Sequence, residues 1–342
     1  MRLELLSAGR GDSFVLFWGN DLANYILIDG GIPRTYKEIR KIANSINSLK
    51  GVILTHVDYD HIGGLLKIFN DEQIVSKFKG PVYVNTPDLI LTPKKESKVG
   101  LVHGENLRSL LKERKVDFYA ALFDPDLSNE IKIDGLTLKL LSPNKEILEK
   151  LVATWNAELI KQNEKKEKVT ESKVSLRKKN FQSFDQIVEQ DEGTKNWERD
   201  LINASSIAFI AEHNNKSILF LGDAHPDVLC NCLESMGYSH KDRLEIDIVK
   251  ISHHGSKNNT TSRLLNLLRT NRYIISTNGA GPYYHPHREA IVRIAHFGKR
   301  KSVGDKVEII FNYVQSELDW LLTPEERRKY NIEFKHQKSI PL

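Results

Sequence analysis

The stretch THVDYDHIGG, residues 55–64, places His56, Asp58, Asp60 and His61 within six positions. Imidazole and carboxylate are ligands for divalent cations, with oxygen favouring the harder ions and nitrogen tolerating zinc. One ion does not easily take all four with good geometry, whereas two ions sharing a site can divide them. In an extended turn His56, Asp58 and Asp60 point one way, and His61 enters from the bend beside them. A solvated acidic turn is the competing reading, and it leaves the mixture of ligand types to coincidence.

Further ligand-capable residues close other apolar runs: Asp223 in SILFLGDAH, His253 and His254 in DIVKISHHGS, and Asp29 in YILIDGG. YYHPH adds His285 and His287 ahead of a helical stretch. Neighbouring side chains in a strand face opposite ways. One of His253 and His254 is therefore expected to ligate, and His254 is preferred.

The elements that must position these residues read as strands and helices in alternation. SFVLFW, YILID, GVILTH and PVYVN are predicted strands, YKEIRKIANSINSL and IGGLLKIF are predicted helical, and GLTLKLLSP closes this half. SSIAFIAE, SILFLGD, DIVKISHH and RYIIST form a second set, with NNK as a hairpin turn. Two strand-rich halves with outer helices imply an α/β chain of two face-to-face sheets. Residues 1–312 are expected to form this domain, interrupted by a charged insertion at about 153–200. Residues 313–342 are expected to be a C-terminal extension ending in a peripheral tail.

Composition fits a globular chain, with 40% hydrophobic and 28% charged residues. No run approaches the roughly 18 apolar residues of a membrane span, and MRLELLSAGRGDSF lacks the apolar centre of a signal peptide. A cytoplasmic protein without membrane partners is expected. Cys230 and Cys232, the only 2 cysteines, are expected to be reduced. The net charge is +5, and residues 161–180 carry eight Lys/Arg against three Glu. Within them Lys165, Lys166, Arg177, Lys178 and Lys179 form a candidate nucleic-acid patch. The next twenty residues nearly cancel that charge, so a solvated insertion is the simpler reading of the segment.

Taken in order, YILIDGG, THVDYDHIGG, LFLGDA and ISHHGS resemble the motifs of the metallo-β-lactamase superfamily. More narrowly, GRGDSFVLF, the pattern H-x-D-x-D-H, HHGS and a late HP are similar to the hydrolase domain of ComEC-type DNA-uptake proteins. Choline-phosphate esterases with the same aspartate substitution are less similar. The resemblance implies a four-layer αββα sandwich with a two-metal site at one edge. It implies His56 and Asp58 on a first ion, Asp60 and His61 on a second, Asp223 as a bridge, and His254 or His253 completing the second. It also implies that Asp29 orients ligands from behind.

The superfamily usually supplies another histidine before the bridging aspartate, and here NASSIAF offers Asn203 or Ser205, with His103 a weaker substitute. Asp58 in place of histidine favours manganese, or magnesium, over zinc. Two divalent ions would generate a hydroxide nucleophile at neutral pH and absorb charge in the transition state. By resemblance His285 would lie near the ions and protonate the leaving oxygen or bind phosphate. Ser256 and Asn278 would contact substrate.

A metal-dependent phosphodiesterase, most simply a nuclease with nucleic acid as substrate, is the leading expectation. The alternatives are a small-molecule phosphoester or lactone hydrolase and a weakly catalytic partner subunit of a multi-protein, possibly defence, system. In the last case other proteins would dock on the insertion or the tail.

Overall fold

The computed structural model describes residues 1–45, 49–86, 102–155, 182–190, 196–281, 283–314 and 318–342. Its centre is a pair of sheets. The first runs, edge to edge, through Ser339–Pro341, Arg2–Leu5, Phe14–Trp18, Asn24–Ile28, Leu49–Ile53, Val82–Tyr83 and Phe118–Tyr119. The second runs through Ile332–His336, Val307–Phe311, Arg272–Ile275, Ile248–Lys250, Lys216–Phe220, Ala208–His213, Leu136–Ser142 and Glu130–Ile133.

Burial on both faces explains the unbroken apolar runs. Leu3, Phe14, Leu16, Ile26 and Ile28 meet Leu138, Phe209, Ile218, Phe220 and Ile310 between the sheets. The alternate residues Val15, Phe17 and Leu27 turn outward to a helix layer that includes Ile39, Ile62, Leu65 and Leu107. On the opposite side Ile210, Leu219, Val249 and Ile275 meet Leu229, Leu233, Ile291 and Ile294 of the other helix layer. The order of layers is therefore helix, sheet, sheet, helix.

Three expectations need correction. GLTLKLLSP joins the second sheet, because Leu136–Ser142 pairs with Ala208–His213. Sheet membership is a long-range pairing that a local apolar pattern does not encode. The tail is no periphery: Ile332–His336 extends the second sheet beside Val307–Phe311, and Ser339–Pro341 extends the first beside Arg2–Leu5. Part of the charged insertion is docked, since Phe184 and Ile187 join the second helix-side core and Phe184 stacks on Tyr330. Asn214 and Asn215 do form the hairpin turn, both with positive φ.

Parallel strands in each sheet end at a common edge, the usual place for a site in a mixed α/β sheet. Asn24–Ile28 and Leu49–Ile53 deliver Asp29 and His56 there, and Lys216–Phe220 and Ile248–Lys250 deliver Asp223 and His253. Two glycines permit the closeness. A Cβ on Gly11 would lie 1.8 Å from the carbonyl oxygen of Asp60, and one on Gly64 would lie 2.1 Å from that of Gly30.

Candidate metal centre

After Leu49–Ile53 the chain stays extended through Asp58, which is the N-cap of the helix Tyr59–Asn70. The Asp58 side chain makes no capping hydrogen bond to this helix. Asp60 and His61 lie in the first helical turn. Alternation thus places His56 and Asp58 on one side, whereas helical spacing, not extension, presents Asp60 and His61. The sequence reading began the helix at Ile62, about one turn too late.

The side chains converge on Asp223. His61 Nε2 is 3.7 Å from its Oδ1, and its Oδ2 stands 3.9 Å from His56 Nε2, 3.7 Å from His253 Nε2 and 3.6 Å from His254 Nε2. Asp58 Oδ2 lies 3.8 Å from His56 Nε2. These separations exceed hydrogen bonds and suit atoms sharing an ion, because two ligands about 2.1 Å from one centre at a tetrahedral angle stand about 3.4 Å apart. His56 Nε2, His61 Nε2 and Asp223 Oδ1 are buried without hydrogen-bond partners, and ligand atoms of these three residues lie within 4.8 Å of one another. Asp60, His61 and His254 form a second such group. Buried polar atoms left unpaired are costly, and a cation satisfies all three at once. The residues fit a divalent centre.

The imidazoles are held from behind. His61 Nδ1 meets Asp29 Oδ2 at 2.8 Å, while Asp29 accepts from Thr55 N at 2.7 Å and Thr55 Oγ1 at 2.8 Å. His254 Nδ1 donates to the Ser276 carbonyl at 2.9 Å and lies 3.3 Å from Asp12 Oδ1. Among the described residues, His56 Nδ1 meets only hydroxyls, Thr55 Oγ1 at 3.1 Å and Ser206 Oγ at 3.2 Å. Ser206 Oγ also accepts from Asp223 N at 3.1 Å. A carboxylate or carbonyl on Nδ1 fixes the tautomer that turns the Nε2 lone pair toward a metal.

Protonation follows the same plan. Burial pushes His56 well down, reinforced by the charge of His61. Burial also opposes the charge on His61 and His254, but Asp223 with Asp29 and Asp12 outweighs it and raises both. Asp223 is held well below the carboxylate range against its own burial, by His253, His254, His61 and His56. Burial and then the charge of Asp60 lift Asp58 to about 7, although its side chain is 36% exposed. Divalent cations would replace those protons and draw Asp58 back to its ionised form.

His253 and His254 overturn the expectation that only one of them faces the centre. They sit in a turn, not a strand, with φ of 48° and 55° and the following Gly255 also at positive φ. Successive left-handed residues rotate both rings to the same side. His253 N donates to the Gly222 carbonyl, tying this turn to the Asp223 loop.

The other predicted residues are placed as follows. His285 is buried beside the cluster, its ring 5.2 Å from that of His253 and 6.1 Å from that of His254. Asn203 turns its amide nitrogen to Asp200, with its Oδ1 buried and unpaired. Ser205 donates to Ile202. Ser256 is buried and caps Asn258, and Asn278 accepts from Ala280, so both brace their own loops. His103 packs on Tyr59 from the helix Val102–Glu113. Lys165, Lys166, Arg177, Lys178 and Lys179 lie outside the described residues.

Sequence reasoning missed Asp12, Thr55, Ser206, Lys250 and Ser276. A lysine inside the apolar run Ile248–Ile251 was the available signal for Lys250. The GRGDSF motif was the signal for Asp12.

Residues 8–139 match the family model of the metallo-beta-lactamase superfamily. Recombination protein 2 of Haemophilus influenzae is 26% identical over 120 residues, a match that covers 34% of this chain and 14% of that protein. Among solved structures, the metallo-beta-lactamase fold protein YhfI from Bacillus subtilis is 10% identical with a TM-score of 0.47, covering 99% of each chain. Zinc-bound PqqB from Methylobacterium extorquens is 12% identical with a TM-score of 0.46, covering 100% of each.

Proposed function

We propose that this chain, a metallo-β-lactamase superfamily member by its residues 8–139 and an αββα sandwich by its fold, is a metal-dependent phosphodiesterase acting on nucleic acid. The observation that carries the hydrolase reading is the convergence of four Nε2 atoms and the Asp58 carboxylate around Asp223, with three of the cluster's buried atoms unpaired. Asp60 and His61 would hold one ion with His254, His56 and Asp58 the other, and Asp223 both. When bound, two divalent ions supply an activated water and a positive field for the charge that develops at phosphorus.

The residues around the cluster do the rest. Asp29, Thr55 and Ser206 keep the imidazoles aimed. Burial, followed by the charges of His253, His254 and His287, depresses His285 to about 2. It therefore works as a neutral imidazole that hydrogen-bonds a phosphate oxygen, and it is not a charged acid. Tyr283, 63% exposed, stacks on the His285 ring at 6.0 Å.

Two features favour nucleic acid over a small ester: the similarity to a recombination protein and the basic run at 161–180. The test is cleavage of labelled single- and double-stranded DNA and RNA by metal-stripped protein resupplied with manganese, magnesium or zinc. Wild type should cleave and Asp60→Ala should not, with reduced metal content. Wild-type turnover by Asp60→Ala would sink the mechanism, and metal binding without cleavage would favour a small-molecule ester. Neutralising Lys165, Lys166, Arg177, Lys178 and Lys179 should flatten the salt dependence of polynucleotide binding, by about 0.7–0.9 logarithmic units per lost phosphate contact.

A further inference from the structure

The loop 8–13, AGRGDS, passes beneath the metal cluster and touches ligand-bearing segments of both halves. Gly11 packs on the Asp60 backbone and accepts at its carbonyl from Ser276 Oγ at 2.8 Å, and Ser13 Oγ donates to the Asp29 carbonyl at 3.1 Å. Between them Asp12 and Lys250, each 1% exposed, form an ion pair through Asp12 Oδ2. Lys250 Nζ also donates to the Gly222 carbonyl at 3.2 Å. The other oxygen, Asp12 Oδ1, is buried without a hydrogen-bond partner and lies 3.3 Å from the Nδ1 of His254, whose proton goes to the Ser276 carbonyl at 2.9 Å.

Such a pair needs a reason to exist. A fully buried ion pair seldom stabilises a fold more than apolar residues of the same volume. Here Lys250 interrupts Ile248, Val249 and Ile251 to reach Asp12. Asp29 stands behind His61 at 2.8 Å and Asp12 behind His254 at 3.3 Å, whereas among the described residues the partners of His56 Nδ1 are hydroxyls. A negative charge on Nδ1 makes Nε2 a better electron donor to a metal. Resting on the reading of this cluster as a two-metal centre, we infer that Asp12, the ion-pair partner of Lys250, is a positioning residue for His254. With Asp29 behind His61, it makes the position formed by Asp60, His61, His254 and Asp223 the tighter of the two. The position at His56 and Asp58 fills second.

Binding alone tests this, without substrate. Metal-free protein is titrated with manganese, and free ion is followed by electron paramagnetic resonance. Wild type should show two classes of site at least tenfold apart. Lys250→Met leaves the Asp12 carboxylate on His254 and should keep the tighter class within about threefold. Adding Asp12→Asn to Lys250→Met retains the packing without either charge and should weaken that class by about 10–100-fold. A purely structural role predicts equal loss in the two variants, and that result would overturn the inference.

A second measurement needs no variant. With ¹⁵N-histidine protein, the first equivalent of zinc should shift Nε2 of His61 and His254, and the second that of His56. Shift of His56 first, or two equal classes in the manganese titration, removes the inference and leaves the proposed function standing. Wild type that binds neither ion removes both.

Discussion

His253 and His254 occupy consecutive left-handed conformations and aim both Nε2 atoms at the same oxygen, Asp223 Oδ2, at 3.7 and 3.6 Å. Left-handed backbone in a residue with a Cβ costs on the order of 1 kcal/mol, and such strain collects at functional sites. The pair is how this chain brings two imidazoles from one segment to the cluster around Asp223.

His253→Gly should therefore separate stability from function. Relief of the left-handed strain should leave metal-free stability unchanged or raise it by up to about 1 kcal/mol, while hydrolysis falls at least about tenfold. Urea unfolding and turnover of the same preparation check this. A loss of stability matching the loss of activity would mean that the ring packs and does not ligate.

His285→Ala should slow turnover with metal content unchanged, because its ring packs beside the rings of His253 and His254 at 5.2 and 6.1 Å rather than among the atoms that converge on Asp223. A loss of about 10–100-fold fits removal of one group that hydrogen-bonds the substrate in the transition state. Metal analysis alongside turnover decides the point. Loss of metal in this variant would move His285 into the ligand set.

Gly11→Ala should be far more damaging than an exposed glycine substitution. Its Cβ would meet the Asp60 carbonyl oxygen, a backbone atom, at 1.8 Å, so the Asp60 turn must move. Thermal unfolding should drop by several degrees, and metal affinity should drop with it. A variant that melts normally but binds metal weakly would place the displacement at the ligands alone.

Cys230 and Cys232 are free and buried, and burial lifts both thiols from 9.0 to about 12. The folded state thus holds its thiol protons more tightly than the unfolded state. Their contribution is full below about pH 9 and is lost as pH rises toward 12, by about 1.4 kcal/mol per pH unit for each thiol. Stability measured from pH 8 to 10.5 should fall more steeply in wild type than in a Cys230→Ala, Cys232→Ala double variant. Ellman's reagent should react with neither thiol before unfolding.

What the sequence made readable was local. His56, Asp58, Asp60, His61, Asp223 and the two histidines after Ile251 each close an apolar run, and the run and its end are contiguous in the chain. Strand alternation failed at His253 and His254 because backbone handedness, not spacing, sets where their rings point. Asp12 and Lys250 are 238 positions apart, and only the stacking of one sheet on the other brings them together. For the same reason Leu136–Ser142 could not be assigned to its sheet from its own composition. Asn203 and Ser205, expected in place of a further histidine, turn to Asp200 and Ile202, and Ser206 instead lies behind His56. One residue of offset where a helical turn passes into a strand decides which side chain faces inward.

The strands at 332–336 and 339–341 have a consequence for synthesis. Every proposed ligand lies at or before residue 254, so all of them leave the ribosome well before either strand is made. Until then Arg2–Leu5 and Val307–Phe311 present open hydrogen-bonding edges, and open edges recruit other chains. The nascent protein can gather its ligands early, yet it closes its two edges only when Ile332–His336 and then Ser339–Pro341 arrive. A release of partly made chains should therefore yield aggregates whose ligand residues are all present.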